Sequence, residues 1–466
     1  MKYISTRKGL SAGAAETIFR GLAPDGGLYV PALSSADRIQ PSAAGDFRSA
    51  EEAVLAALFG DLPAEVRGEA VERLLARFPA ADPVPLVERD GLLMLELFHG
   101  PTGAFKDVAL SMLPVFMKHA AGGRRVLVLT ATSGDTGSAA MRGFAGVDGA
   151  EIAVFYPAAG TSRIQRLQMT TPADGNVHAF GVRGNFDDAQ TAVKRIFADA
   201  GFAAEAAAAG VALSSANSIN TGRLVPQIAY YVFAAAEAGG PVDVVVPSGN
   251  FGNILAAYYA KLLGSPIRRL VVASNVNDVL ARFVKTGVYD PGDRFTVTNS
   301  PSMDIRRSSN VERLLWILND GDCGEVSRLM RDLERKGRYT LRPAAAARLA
   351  EEFEGGVADP AETEDEMRRM RERCGCLVDP HTAVAVRVAG KLGYPKKGAS
   401  CVVAATATPY KFPETCLRAF GADVLTDPPS GFAELERLPV AQTAVVDVAG
   451  MDDAVRGLFA AKGAAG

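Results

Sequence analysis

From residue 92 onward, short apolar runs alternate with stretches of helical periodicity, and that alternation leaves few folds open to the chain. The runs at 126–130, 152–156, 178–182, 242–246, 270–273 and 401–405 read as buried strands. Between them, 162–169, 187–197, 224–238 and 253–263 read as helices. Strands separated by helices imply parallel pairing with helices on both faces, so the predicted class is α/β. At 466 residues the chain is long enough for two to three domains of about 150 residues each. Its 48% hydrophobic and 22% charged content is that of a globular enzyme.

Residues 1–90 read as a separate N-terminal domain. Ala23-Pro24-Asp25-Gly26-Gly27-Leu28-Tyr29-Val30-Pro31 is a turn leading into a short strand. Ser49-Ala50-Glu51-Glu52 opens a helix with a capping signature, and 64–78 is a second helix. Three prolines within 79–85 mark the connection to the remainder, 91–466. Further on, 311–339 reads as two amphipathic helices covering the sheet, and the alanine run 203–209 as one helix. The charge-dense 362–373 is a solvated helix face with Glu364 and Asp365 four residues before Arg368 and Arg369.

Several function classes fall away. A net charge of −3 carries no basic footprint for nucleic acid. No window reaches the roughly 18 unbroken apolar residues of a membrane helix. The start, Met1-Lys2-Tyr3-Ile4-Ser5-Thr6-Arg7-Lys8, lacks the apolar core of a signal peptide, which leaves a cytoplasmic protein as the expectation. Five cysteines make no disulfide framework; Cys374-Gly375-Cys376, the only close pair, has the wrong spacing for zinc and reads as two reduced thiols. The four histidines are scattered, and no metal site is expected.

The chemistry centres on His99-Gly100-Pro101-Thr102-Gly103-Ala104-Phe105-Lys106-Asp107, which sets one lysine between apolar runs at 92–98 and 108–117. A lysine drawn toward an apolar wall loses hydration of its charged form, and its neutral, nucleophilic amine becomes accessible. That is what an aldehyde cofactor needs to form a Schiff base. A solvated lysine is the plain alternative.

Two loops of one kind supply anion cradles. Ser133-Gly134-Asp135-Thr136-Gly137 follows the run 126–130, and Ser248-Gly249-Asn250-Phe251-Gly252 follows 242–246; each opens a helix. Glycines let backbone N–H groups converge, and the helix N-terminus adds partial positive charge. Two copies on one sheet suit a ligand with two anions, such as a phosphorylated cofactor joined to an amino acid. The P-loop, dinucleotide and nucleophile-elbow signatures are absent. In Ser214-Ser215-Ala216-Asn217-Ser218-Ile219-Asn220-Thr221-Gly222-Arg223, Arg223 brings forked donors, and Asn217, Ser218 and Asn220 bring neutral ones that fit a phosphate; a capped helix start explains the stretch equally well. Thr406, at the end of the run 401–405, puts a hydroxyl within reach of a cofactor ring nitrogen, or is an ordinary strand-end threonine.

With these residues in view, the chain resembles the threonine synthase family, pyridoxal 5'-phosphate enzymes of the tryptophan-synthase β-like fold (fold type II). The resemblance runs from Tyr3-Ile4-Ser5-Thr6-Arg7 and Gly21–Leu28 through the lysine motif, both loops and Asn217-Ser218-Ile219-Asn220. It continues through Ser300-Pro301-Ser302-Met303-Asp304-Ile305 and Asp379-Pro380-His381-Thr382-Ala383 to Pro409-Tyr410-Lys411-Phe412. It implies two open, twisted, mostly parallel sheets with a small N-terminal domain, and a smaller mobile subdomain around 110–210 within the catalytic region.

The resemblance also implies roles. Lys106 would bind the cofactor aldehyde with Phe105 near the ring, Ser248, Gly249, Asn250, Phe251, Gly252 and Asn253 would hold its phosphate, and Thr406 would face its pyridine nitrogen. Ser133, Gly134 and Thr136 would receive the substrate carboxylate, with Asp135 toward the ring hydroxyl and Thr102 also at the substrate. Asn217, Ser218, Asn220 and Arg223 would bind the substrate's phosphate. Two positions depart from the family pattern: Thr408, where better-known members carry histidine, and Ala158-Ala159-Gly160, where they carry a basic residue. The implied reaction is a lyase reaction, the last step of threonine biosynthesis. It converts O-phospho-L-homoserine and water to L-threonine and phosphate by γ-elimination and β-addition of water, in a monomer or homodimer. A relative acting on another amino acid with the same cofactor is one alternative. A silent ligand-binding homologue is the other, and Lys106, the two loops and Arg223 speak against it.

Overall fold

The computed structural model describes residues 1–40, 44–80 and 82–459; each of the six runs read as strands forms one, while the apolar run 108–117 is helical. The strands divide between two sheets. In the six-stranded sheet Val242–Pro247 lies in parallel between Ile267–Ser274 and Ser400–Ala405. Phe353–Val357 and Leu92–Glu96 extend it in parallel, and Leu86–Arg89 adds one antiparallel edge. The five-stranded sheet is wholly parallel, in the order Val445–Asp447, Val177–Arg183, Ala150–Pro157, Arg125–Ala131, Val211–Ser215. Val242–Pro247 and Ala150–Pro157 are buried at every position, as continuous apolar runs must be when helices cover both faces. The chain is thus α/β with two mostly parallel sheets. Its smaller sheet takes its edge strand from residues 445–447, far outside the 110–210 stretch.

The helix Lys106–Ala121 carries the chain from the larger sheet to the smaller. Asp107 to Met117 are all buried, because the helices Ala14–Arg20, Ala64–Leu75 and Asp135–Phe144 pack around them. The N-terminal part has its own antiparallel sheet, Ser11–Ala12, Tyr3–Ser5 and Tyr29–Pro31. Its apolar residues do not close on themselves: Tyr3, Ile18, Phe47 and Leu55 share one continuous core with Phe116, Val128 and Val244. Leu86–Arg89, assigned to the N-terminal domain from sequence, is the edge of the larger sheet.

Local chemistry revises some expectations. The helix placed at Ser49 begins at Phe47, because Asp46 is the cap and accepts the Ser49 backbone N–H at 2.7 Å. The helix read as 224–238 is two pieces, Thr221–Leu224 and Pro226–Glu237. On Pro360–Cys374 the four-apart pairs do not form: Arg368 reaches Asp365 and Arg369 reaches Glu366, three residues back, while Glu364 meets Arg418 of the neighbouring helix. Cys374 and Cys376 bring their sulfurs to 2.8 Å as free thiols. Among the described residues, no helix is long and apolar enough to cross a membrane.

Candidate active site

Lys106 is the first residue of its helix and is aimed by a backbone clasp. Phe105 N donates to Thr406 O at 2.9 Å and Thr408 N to Gly103 O at 3.0 Å, so the lysine turn is laced to the end of the strand Ser400–Ala405. Asp107 closes the turn from inside, accepting from Thr102 N at 2.9 Å and Thr102 Oγ1 at 2.7 Å. Lys106 Nζ then lies 4.5 Å from the centre of the Phe105 ring and 3.0 Å from Asp135 Oδ2. Only 12% of its side chain is exposed. Burial pushes the ammonium below the usual lysine value; Asp135 opposes this, and Arg223 and Lys411 reinforce it.

Both glycine loops line the cleft that holds Lys106, which has a volume of about 890 Å³ including space open to solvent. They sit on different sheets, contrary to the reading that put both on one: Ser133–Gly137 follows the smaller sheet's Arg125–Ala131, and Ser248–Gly252 follows the larger sheet's Val242–Pro247. The cleft is therefore walled by the carboxyl ends of strands from two sheets, where open α/β sheets collect ligands. At Gly249 a Cβ would stand 2.5 Å from the Ser302 carbonyl, so no side chain fits. Phe251 takes a left-handed conformation at φ +62°, a strained geometry that opens the helix Gly252–Leu262.

Asp135 is the polar hub. Besides Lys106, its Oδ2 accepts from Ser302 Oγ at 3.0 Å. Its Oδ1 accepts from Gln165 Nε2 at 2.9 Å and lies 3.3 Å from Lys411 Nζ. Burial opposes its charge, but Lys106, Lys411, His381 and Gln165 outweigh burial and hold the carboxyl well below the usual range. His381 is oriented by Asp379, whose Oδ1 lies 2.7 Å from Nδ1, while Nε2 accepts the Ser302 backbone N–H at 3.1 Å.

The cleft also holds donors without acceptors. Arg223 is buried; its Nη1 donates to Ala216 O at 2.7 Å, but its Nε has no partner. Burial lowers its guanidinium to about 10, as expected for a cation with no facing carboxylate. Asn253 accepts on Oδ1 from Tyr230 and Tyr231, which leaves its Nδ2 unpaired. Such donors are normally satisfied in a buried setting, so the arrangement fits an anionic ligand. One unpaired donor, Asn253 Nδ2, stands beside the Ser248–Gly252 loop, and the other, Arg223 Nε, lines the same cleft.

Most of the residues singled out from sequence meet here: Phe105, Lys106, Ser133, Asp135, Thr136, Asn217, Ser218, Arg223, the whole stretch from Ser248 to Asn253, and Thr406 line one cleft. Three do not. Asn220 caps Thr221–Leu224 through Oδ1 and donates from Nδ2 to Ile18 O and Ser215 O, so its polar atoms are taken up by the fold. Thr102 builds the lysine turn. Gly134 gives its N–H to Thr132 Oγ1, and a Cβ on it would run into Gln165. Sequence reasoning assigned no role to Ser302, His381, Gln165 or Lys411. Ser302, His381 and Lys411 lie in stretches that carried the resemblance; Gln165 had no signal beyond its place in a predicted helix.

Comparison with known proteins gives concordant matches. Residues 80–357 match the model of the pyridoxal-phosphate dependent enzyme family, residues 2–62 that of the threonine synthase N terminus, and 382–455 that of the threonine synthase C-terminal region. The chain is 37% identical over 430 residues to a threonine synthase of Pseudomonas aeruginosa, covering 90% of each. It is 38% identical over 429 residues to human Threonine synthase-like 1, matching 87% of this chain but only 58% of that longer protein. The crystal structure of a PLP-bound threonine synthase from Brucella melitensis superposes with a TM-score of 0.90 at 36% identity, covering 99% of this chain and 100% of that one.

Proposed function

Because the chain belongs to the threonine synthase family of pyridoxal-phosphate-dependent enzymes, we propose that it converts O-phospho-L-homoserine and water to L-threonine and phosphate. The observation that carries the reading is the meeting of one partly dehydrated lysine with two unpaired buried donors, Asn253 Nδ2 and Arg223 Nε, in a single cleft. The phosphate of the cofactor and that of the substrate would supply one anion for each.

When bound, pyridoxal phosphate supplies an aldehyde that captures amino groups and a ring that takes up the electron pair left when a carbon loses a proton. In this reading Ser248 to Gly252 and Asn253 hold the cofactor phosphate, Phe105 packs beside the ring and Thr406 faces its nitrogen. The free amine of Lys106 would move protons at the α and β carbons, the β proton passing on to the γ carbon that phosphate leaves; a neutral amine close to the reacting centre suits these transfers. Asp135 holds Nζ in place between transfers. Ser133 and Thr136, at the start of the helix Asp135–Phe144, receive the substrate carboxylate. Arg223 with Asn217 and Ser218 holds the phosphate that leaves the γ carbon, where negative charge grows as the bond breaks. Water must stay out until the β carbon is ready for it, and approach of the smaller sheet toward the larger would close the cleft.

The same reading has the region around 110–210, with Val211–Ser215 and Val445–Asp447 added, moving as the smaller subdomain, and the N-terminal domain ending before Leu86. It describes a cytoplasmic monomer or homodimer whose partner is its small-molecule substrate. The test is spectroscopic and chemical. Purified protein loaded with the cofactor is expected to show a visible absorption band that borohydride abolishes and Lys106→Ala lacks, and to release phosphate and threonine from O-phospho-L-homoserine. A colourless loaded protein, or a coloured one that leaves this substrate intact, overturns the reading.

A further inference from the structure

Lys411 has no part in the reading above, yet it is completely buried and its charge meets the same carboxylate as Lys106. Its Nζ donates to Thr102 O and to Gln168 Oε1, each at 2.8 Å, and lies 3.3 Å from Asp135 Oδ1. Lys106 Nζ meets the other oxygen, Oδ2, at 3.0 Å. One carboxylate therefore stands between two lysines, one on each oxygen, with Gln165 Nε2 and Ser302 Oγ as its remaining donors.

A buried charge is costly unless paired, and a neutral amide of similar length would satisfy Thr102 O without that cost. The charge calls for another explanation, and the work of Lys106 provides one. An amine that captures an aldehyde or accepts a proton passes through its uncharged form. Were Asp135 paired with Lys106 alone, each such passage would strand a carboxylate in a dry cleft, and the pair would resist it. With Lys411 on the opposite oxygen, Asp135 keeps a cationic partner whichever form Lys106 takes.

We propose that Lys411 is a positioning residue, a counter-ion that keeps Asp135 ionised and in place while Lys106 gives up and regains its proton. Arg223 from Thr221–Leu224 faces the same cleft, as does His381 from Pro380–Lys391, whose Nε2 accepts the Ser302 N–H. Asp107, next to Lys106, also feels the charge of Lys411, and Lys106 thus lies near two cations, Arg223 and Lys411, with Asp135 as its ion-pair partner. Like charges disfavour the ammonium form of Lys106, and Asp135 favours it. Removing Lys411 therefore shifts this balance toward a charged, less reactive Lys106. A mere fastener of the Thr102 turn would not.

The inference rests on Lys106 being the amine that holds the cofactor, and its test reads that amine directly. In the full-length chain stripped of cofactor, the pH dependence of Lys106 acetylation by acetic anhydride, followed by peptide mass, reports its proton affinity. In Lys411→Met the midpoint is expected to rise by about one pH unit, so that labelling below it slows about tenfold. In Lys411→Arg, which keeps the charge, the midpoint stays near that of the parent. Lys411→Gln retains a donor toward Thr102 O without the charge; it is expected to follow the methionine variant and carries the test if that variant does not fold. A neutral variant with an unmoved or lowered midpoint, or an arginine variant that shifts as far as the neutral ones, overturns the proposal. A normal labelling shift in a protein with no cofactor band would overturn only the functional reading. An intact band with no shift would overturn only this one.

Discussion

Ser302 Oγ donates to Asp135 Oδ2 across 3.0 Å, and this one hydroxyl joins two sheets. Asp135 opens the helix behind the smaller sheet; Ser302 sits in the short turn Pro301–Met303, against Gly249 of the larger sheet's loop. Ser302→Ala leaves Asp135 with Lys106, Lys411 and Gln165 but cuts that tie. A hydrogen bond to a charged group contributes on the order of 1.5–3 kcal/mol, less where solvent can replace the lost donor. The expected outcome is a KM for the amino-acid substrate raised about tenfold, with a melting temperature within a few degrees of the parent. Steady-state kinetics beside a thermal melt checks it.

Arg223 gives a prediction in which stability and activity move apart. Its guanidinium is buried without a carboxylate, and burial lowers it to about 10. Arg223→Met removes that cost, so the ligand-free chain is expected to gain about 1–2 kcal/mol in a urea titration. Under the proposed function the same change would also remove a charged donor from the phosphate leaving the substrate, and kcat/KM is expected to fall at least about a hundredfold. A variant that is both weaker in urea and inactive would mean that Arg223 is chiefly a fold residue.

Glu151 sets an acid limit on the smaller sheet. It pairs with Arg125 Nε at 2.8 Å and with His178 Nε2 at 3.6 Å. Burial pushes its carboxyl up, but His178 and Arg125 outweigh burial and bring it down to about 2. An unfolded glutamate titrates near about 4.3, so the paired carboxylate stabilises the fold fully above that value, and the contribution drains away as pH falls toward about 2. The difference corresponds to about 2–3 kcal/mol. Urea titrations of the parent and Glu151→Gln are expected to differ by about that much at pH 7 and to converge near pH 2.

Gly249→Ala tests the cofactor loop. The new methyl would lie 2.5 Å from the Ser302 carbonyl, a backbone atom that no side-chain rotation can move. Either the loop or the Pro301–Met303 turn must shift, at a cost of about 1–3 kcal/mol. Cofactor affinity, read by titrating the visible band, is expected to weaken at least about tenfold while the far-ultraviolet dichroism is unchanged.

How much of this was legible in the chain depended on how far a residue's role reaches along the sequence. Lys106 and the two glycine loops were readable because their signals are local: an apolar flank, or glycines between a buried run and a helix. Asn220 was readable either way, because an asparagine before a helix looks the same whether its side chain caps the helix or awaits a ligand; here it caps, and Ile18 and Ser215 take its other donors. Ser302 and Lys411 escape assignment because they reach Asp135 from short helical turns more than 160 residues away in sequence, and His381 because it meets Ser302 from the start of another distant helix. The pairing of Leu92–Glu96 with Ser400–Ala405 and the clasp beyond it bring the lysine turn and the Lys411 turn together, and no periodicity announces which strands will be neighbours. The N-terminal boundary blurs for a similar reason, since the short, only half-buried strand Leu86–Arg89 does not show in its sequence which sheet it joins.

Dividing the cleft between two sheets has an evolutionary reading. Under the proposed function the Ser248–Gly252 grip on the cofactor phosphate would hang on one sheet, while Ser133 and Thr136, and Asn217 just past Val211–Ser215, would meet the amino acid from the other. Mutations in the second, Asp135 apart, would then retune which amino acid is accepted and leave the grip on the cofactor phosphate unaltered. An architecture of this kind can diversify by tinkering with half of itself, whereas a pocket moulded from a single sheet would have to change both tasks together.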